Sequence, residues 1–578
     1  MFTKRAWPVI ISTILARRET KGCFFVMQLI SKYLKQVDFH SYEDFYDNFS
    51  LTVPENFNFA FDVVDYWAAS EPGKLALVYE SAEGEEISFT FAEISRLSSQ
   101  AANYFASKGI QKGDVVMLTL KHSYYFWIMA VGLHKLGAIC VPATEQLKQK
   151  DYEYRFSVAR VKMIATVEGE HLAEIEEAEK NSSRPIAKAF VSESERDGWD
   201  NIAVELAKMP DAFDKPIDYP CSNDLMLMYF TSGTTGNPKI VAHNYNYALG
   251  HITTAYYWSA CKDNALHFSV SETGWAKCAW SKIYGQWLCG APVLVYSYDR
   301  FEPEKMLDIM EKYPIYGFCA PPTIYRFLLR CDLSNRSLSH IKHCTTAGEA
   351  LNAEVFHQWQ EKTGLTIREG FGQSESAIIA GTFIWMQPRP GSLGKPNPLY
   401  KVRMINENGD DACVGEEGQI SIELDGAIPP VGLFQEYYRD EERTIQTFSS
   451  GLYYTGDLAR RDEDGYLWYE GRADDIIKTS GYRVGPFEVE SALMRHPAVF
   501  ECAVAGIADP EGIRGQIIKA TIVLNEGYSP SDSLAKEIQD LVKSITAPYK
   551  YPRAIEFSDT LPKTFNGKIK RYVLRRQQ

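Results

Sequence analysis

Thr231-Ser-Gly-Thr-Thr-Gly-Asn-Pro-Lys239 follows directly on the apolar run Leu225 to Phe230. A run of that length, bounded by Asp224 and a Ser-Gly cluster, reads as a buried strand entering a tight turn. Gly233 and Gly236 let the backbone come close to a ligand. Thr231, Ser232, Thr234 and Thr235 offer donors to phosphate oxygens, and Lys239 adds a mobile charge. The lysine follows proline rather than glycine and no Ser or Thr follows it, so the pattern is not that of the mononucleotide kinases. An ordinary polar surface loop is the bland alternative, and this density of hydroxyls and glycines ahead of a lysine argues against it.

Working outward, helical stretches alternate with short apolar runs from about Phe59 to Pro142, as in Val115 to Leu120 and Ala138 to Val141. The rhythm returns from Met226 to about Phe371, in Ala291 to Tyr296 and Ile315 to Ala320. Such alternation predicts an α/β fold of two doubly wound subdomains, each a parallel sheet covered on both faces. Between Gly391 and Tyr469 short strands with Gly and Asp turns predict a small β-barrel or antiparallel sheet. Beyond Gly471 a segment with its own strands and helices predicts a small, mobile α+β C-terminal domain. The expected division is an N-terminal extension and lead-in (1–58), a large N-terminal domain (59–471), a hinge (472–475) and the C-terminal domain (476–578).

The 578 residues exceed one core. A formal charge of -14 argues against a nucleic-acid partner. Eleven scattered cysteines, an odd number with no C-x-x-C, read as reduced core residues of a cytoplasmic protein. No apolar run reaches the ~18 residues that span a bilayer. Residues 1–26 carry Lys4, Arg5, Arg17, Arg18 and Lys21 around an apolar stretch, with no acid before Glu19. They read either as a targeting leader or as a start assigned ahead of Met27.

Three further motifs follow in order. In Glu369-Gly-Phe-Gly-Gln-Ser-Glu375 an aromatic flanked by glycines suits a purine ring, and the last carboxylate suits Mg²⁺ on phosphates. In Tyr453-Tyr-Thr-Gly-Asp457 a carboxylate after a glycine turn suits a pair of ribose hydroxyls. Leu561-Pro-Lys-Thr-Phe-Asn-Gly-Lys568 is a turn carrying a lysine at its tip.

Together these resemble the signatures of the adenylate-forming superfamily, over about residues 60 to 571. Within it the chain resembles stand-alone synthetases of the medium-chain acyl-CoA type, through Glu272-Thr-Gly-Trp-Ala-Lys277, Trp280, Tyr325 and Gly-Tyr-Arg-Val-Gly-Pro-Phe-Glu-Val-Glu490. The resemblance implies ATP and Mg²⁺ as cofactors and coenzyme A (CoA) as co-substrate. It places ATP on Thr231 to Gly236, Lys239, Gly348, Glu349, Glu369, Phe371, Gly372, Gln373, Ser374, Asp457 and Arg472. Glu375 would be the metal carboxylate, and Thr234, Glu375 and Lys568 the catalytic set. Phe371 and Ser374 stand where the family has tyrosine and threonine. Asp474 would be the hinge, and Gly481, Arg483, Arg514 and Lys550 would meet CoA.

The implied reaction joins a small carboxylic acid to CoA through an acyl-adenylate. Trp275, Lys277, Trp280, Ala347 and Gly372 would form the acyl pocket, with Lys277 expected either to carry its ammonium outward along the wall or to pair with a polar group on the acid. Acetate-specific relatives hold tryptophan where this chain has Gly372. The glycine therefore implies room for a longer or branched fatty acid, with a graded preference of up to about 0.8 kcal/mol per methylene. A benzoate-like acid, an enzyme that stops at the adenylate or oxidises it, and a non-catalytic protein on the same fold are the rival readings. Oligomeric state is left open between monomer and dimer.

Overall fold

The computed structural model describes residues 29–231, 238–426, 428–479, 482–510, 514–547, 549–563 and 569–576. Two large sheets form its centre. In the first, of eight strands, Leu225–Thr231, Ile139–Pro142, Val115–Thr119, Val161–Val167 and Ala187–Val191 lie side by side and parallel. All five residues of Val115–Thr119 are buried. That is what a strand covered by helices on both faces requires.

The second sheet has thirteen strands. Ile367–Phe371, His343–Ala347, Ile315–Cys319, Leu266–Ser269, Val293–Tyr296 and Leu75–Glu80 run parallel in that order. The two lobes thus interleave in sequence: Leu75–Glu80 joins the later sheet, while Leu225–Thr231 completes the earlier one. Past Ile367–Phe371 the second sheet turns antiparallel through Ala380–Gly381 and Ser392–Pro396. It continues into Leu467–Arg472, Leu452–Arg461, Glu417–Glu423 and Val402–Ile405, the small antiparallel unit expected from the turn-rich stretch.

The lead-in is part of the main core. Leu29, Ile30 and Phe45 are fully buried, Tyr42 donates to the Pro396 carbonyl at 2.8 Å, and Val37 accepts from Tyr257 at 2.8 Å.

After residue 475, Val499–Ala508, Gln516–Leu524 and Ala554–Phe557 form a three-stranded sheet. It packs under the helices Pro486–Leu493 and Asp532–Ile545 around Val489, Val504, Ala520 and Ile538. A ribbon of Ile477–Thr479 and Tyr482–Val484 leads into it. Among the described residues no helix is long and apolar enough to cross a membrane.

Candidate active site

The strand Leu225–Thr231 returns as Lys239–Asn244, with Thr231 opposite Lys239. Ser232, Gly233, Thr234, Thr235 and Gly236, between these strands in the sequence, lie outside the described residues, as do Gly481 and Lys568. At the rim the hydroxyl of Thr231 is buried with no partner among the described residues. Lys239 Nζ pairs with Glu375 at 2.7 Å and donates to the Tyr437 hydroxyl at 2.7 Å. The loop and the second motif therefore meet at one ion pair.

Glu375 is buried, and among the described residues no group of three or more His, Cys, Asp or Glu side chains could cage a metal. One hard carboxylate beside a phosphate loop is the donor set with which Mg²⁺ binds together with nucleotide phosphates. The residues fit that ion.

The strand Ile367–Phe371 ends at a cavity of about 330 Å³ lined by Gly348, Glu349, Glu369, Phe371, Gly372, Gln373, Asp457 and Arg472. Asp457 is 5% exposed and held by three donors: Gln373 at 2.6 Å, Arg472 at 3.2 Å and Tyr469 at 3.1 Å. Tyr453 in turn donates to Gln373 at 2.7 Å. Gly456 makes this possible, because its φ of +76° suits glycine and an added Cβ would sit 2.7 Å from the Arg472 guanidinium. Burial opposes the charge on Arg472, but Asp457 and Asp474 outweigh it and hold the guanidinium protonated.

Glu369 accepts the Leu351 N–H at 2.9 Å with one oxygen, and its other oxygen has no partner among the described residues. Burial pushes its carboxyl up to about 8, against the Leu351 hydrogen bond, so it stays protonated at neutral pH. A neutral carboxyl both donates and accepts, the pairing that an amine and a ring nitrogen of adenine would require. The sign of the pH effect follows. Below about 4.5 the carboxyl is protonated folded or unfolded; between there and about 8 only the folded form holds the proton, so this group's contribution falls as pH rises. Glu369→Gln should accordingly raise Tm more at pH 8 than at pH 5, by thermal melts at both; an equal change at both would mean the carboxyl is ionised in the fold.

Glu349 accepts from Thr323 at 2.9 Å, and Arg326 lies 3.9 Å away. Thr323, Arg326, Tyr437, Tyr469 and the C-terminal residues Glu490, Ile569 and Arg571 were not singled out from sequence. Tyr437 and Tyr469 carry no motif, and only the paired strands show their hydroxyls converging on Glu375 and Asp457.

Two expectations about the acyl pocket are corrected. A Cβ at Gly372 would meet the Trp280 ring at 2.3 Å, so the space left by the missing side chain is already filled by that indole. Trp280 is 5% exposed and anchored by its N–H to the Ser376 carbonyl at 3.2 Å. A tryptophan placed at 372 would expel Trp280 rather than close an open void. Lys277 does not reach outward: its Nζ donates to the Ala347 carbonyl at 2.9 Å, and burial pulls its ammonium below the usual lysine range. The helix Ala276–Ser281 turns that side chain toward the end of His343–Ala347. Trp275, just before it, has a buried ring N–H with no partner among the described residues.

Among the described residues expected to meet CoA, Arg483, Arg514 and Lys550 do not line this cavity. Arg483 pairs with Glu407 and Glu417, Lys550 with Glu488 and Arg514 with Asp509. Asp474 is tied to its surroundings by Arg472 at 3.6 Å and by Arg575 on its carbonyl at 3.3 Å. Ile569 and Arg571, immediately after Lys568, do line the cavity.

The AMP-binding enzyme family matches residues 64–438, and the AMP-binding enzyme C-terminal domain family matches residues 488–568. The mitochondrial acyl-coenzyme A synthetase ACSM3 of Mus musculus is 41% identical over 94% of this chain and 94% of its own. The Pongo abelii protein of that name is 40% identical over 94% and 93%. Among solved structures, the anthranilate CoA ligase AuaEII bound to anthranoyl-AMP superposes with a TM-score of 0.83 at 29% identity, covering 90% of this chain and 97% of its own. A benzoate CoA ligase from Burkholderia xenovorans LB400 gives 0.79 at 25% identity, covering 90% and 100%.

Proposed function

Because the chain belongs to the AMP-binding enzyme family, we propose that it activates a medium-chain or branched short-to-medium fatty acid and that the residues gathered at the 330 Å³ cavity hold its ATP. The chain is an AMP-forming acid:CoA ligase that uses ATP, Mg²⁺ and CoA. The observation that carries the site reading is the convergence of Glu369, Phe371, Gln373, Asp457 and Arg472 on one cavity beside the phosphate hairpin.

Phe371 stacks on adenine, Glu369 meets its edge, and Asp457 takes two ribose hydroxyls with Gln373, Tyr469 and Arg472 holding it in place. The hairpin donors and Lys239 receive the phosphates. Glu375, released as Lys239 turns to the phosphates, would hold the Mg²⁺, which would supply neutralisation of the phosphate charge. The acid's carboxylate oxygen attacks the α-phosphorus, the α–β bond breaks and pyrophosphate leaves. The chain contributes positioning and charge neutralisation, the latter from Lys568. The C-terminal domain (476–578) then turns about Asp474, and the CoA thiolate attacks the acyl carbon and releases AMP.

The acid is tested by a panel from acetate through octanoate with branched and aromatic members, scored for AMP release with and without CoA. Release that needs CoA and peaks at a medium or branched acid supports the reading. A peak at benzoate or anthranilate, the acids in the solved relatives' names, would make it an aryl ligase. No release with any acid would remove the activity.

For location, the relatives' mitochondrial names and the basic, acid-poor residues 1–26 support import into mitochondria rather than the cytoplasm. A reporter carrying residues 1–28 should enter mitochondria; a reporter left in the cytosol would reject this.

A further inference from the structure

The strand Tyr482–Val484 is clamped to the small antiparallel unit of the large domain. Arg483 donates through Nε to Glu417 at 3.1 Å, its Nη2 lies 2.9 Å from the same oxygen, and its Nη1 pairs with Glu407. Glu417 opens the strand Glu417–Glu423, and Glu407 stands in the turn after Val402–Ile405.

The surroundings are acidic. Glu470, on the strand Leu467–Arg472, is pushed up to about 7 by burial, helped by Glu488 and Glu417 and opposed by Arg460 and Lys550. A cation is therefore favoured at this spot. The fit is close: an added Cβ on Gly485 would lie 2.1 Å from the Glu470 carbonyl. In this same arrangement Ile569 and Arg571 face the nucleotide cavity. One orientation of the C-terminal domain thus combines a captured Arg483 with the catalytic-tip segment at the nucleotide.

We propose that Glu417, with Glu407, is a positioning residue for the first half of the reaction: by binding Arg483 it holds the C-terminal domain in the adenylate-forming orientation. The phosphates of CoA then compete with these carboxylates for the same guanidinium. The proposal rests on the two-step reading above. Adenylation keeps Arg483 on the carboxylates, and thioester formation requires it to let go.

The test uses the full chain and scores the halves separately: pyrophosphate exchange with acid and ATP, and thioester formation from supplied acyl-adenylate and CoA. In Glu407→Gln/Glu417→Gln, exchange should fall about fivefold, because partly exposed pairs are worth modest factors. The KM for CoA in the second half should fall by a similar factor with kcat unchanged. Trypsin cleavage after Arg472 should quicken as the domain leaves its dock. A second variant, Glu407→Arg/Glu417→Arg/Arg483→Glu, which swaps all three charges, should restore exchange toward the native rate while thioester formation stays impaired.

Equal loss of both halves, an unmoved KM for CoA, or a charge swap that restores neither half would overturn the proposal. If the native chain itself shows no exchange with any acid of the panel, it is the ligase reading that fails.

Discussion

Lys568→Ala should slow acyl-adenylate formation by about a hundredfold to a thousandfold, the cost of removing one preorganised charge from a transition state. Thioester formation from supplied adenylate and CoA should keep its rate. The asymmetry follows from the two orientations. In the proposed mechanism the ammonium is needed where carboxylate meets α-phosphate, and it is withdrawn before the thiol arrives. Lys568 lies outside the described residues, but its neighbour Ile569 lines the cavity proposed for the nucleotide. Pyrophosphate exchange and the supplied-adenylate assay decide the matter on one preparation. Equal losses in both would assign the first-step charge to another residue.

Asp457→Asn should raise the KM for ATP by about a hundredfold or more. Each hydrogen bond to a charged group contributes about 1.5–3 kcal/mol, and the carboxylate is placed to accept two from ribose. Asparagine keeps the volume and one acceptor but points an amide at the donors Gln373 and Arg472, 2.6 and 3.2 Å from the carboxylate. The same loss should appear with every acid of the panel, since the acid does not touch this residue. A rise confined to some acids, or a KM for ATP that stays put, would detach Asp457 from the nucleotide. Tm measured alongside separates this from collapse of the Arg472 pair.

Much of the site was legible because its chemistry is concentrated in short strings. The strand that runs into Thr231 was placed correctly, whereas Asp457, read as following a glycine turn, lies inside the strand Leu452–Arg461 opposite Arg472. What could not be read is pairing across the chain. Nothing in the stretch around Gly372 announces that Trp280 lies over it, and nothing near Lys277 announces the Ala347 carbonyl that captures its ammonium. The hydroxyls of Tyr437 and Tyr469 belong to the same class, since each becomes informative only once its strand is paired. The lobes were legible as α/β rhythm, but not the exchange of strands between them.

That exchange bears on how the chain is made. Leu77 pairs with Val293, more than two hundred residues later. At roughly 5–20 residues per second, the inner edge of the Leu75–Glu80 hairpin waits roughly ten to forty seconds on the ribosome for its neighbour. Leu77 and Val78 are destined for full burial, yet for that interval they stand beside an unpaired backbone edge, the condition that invites association with other nascent chains. Slow synthesis or crowded polysomes should therefore penalise the yield of this protein more than its final stability would suggest, and a holding chaperone acting on the first hundred residues should relieve the penalty.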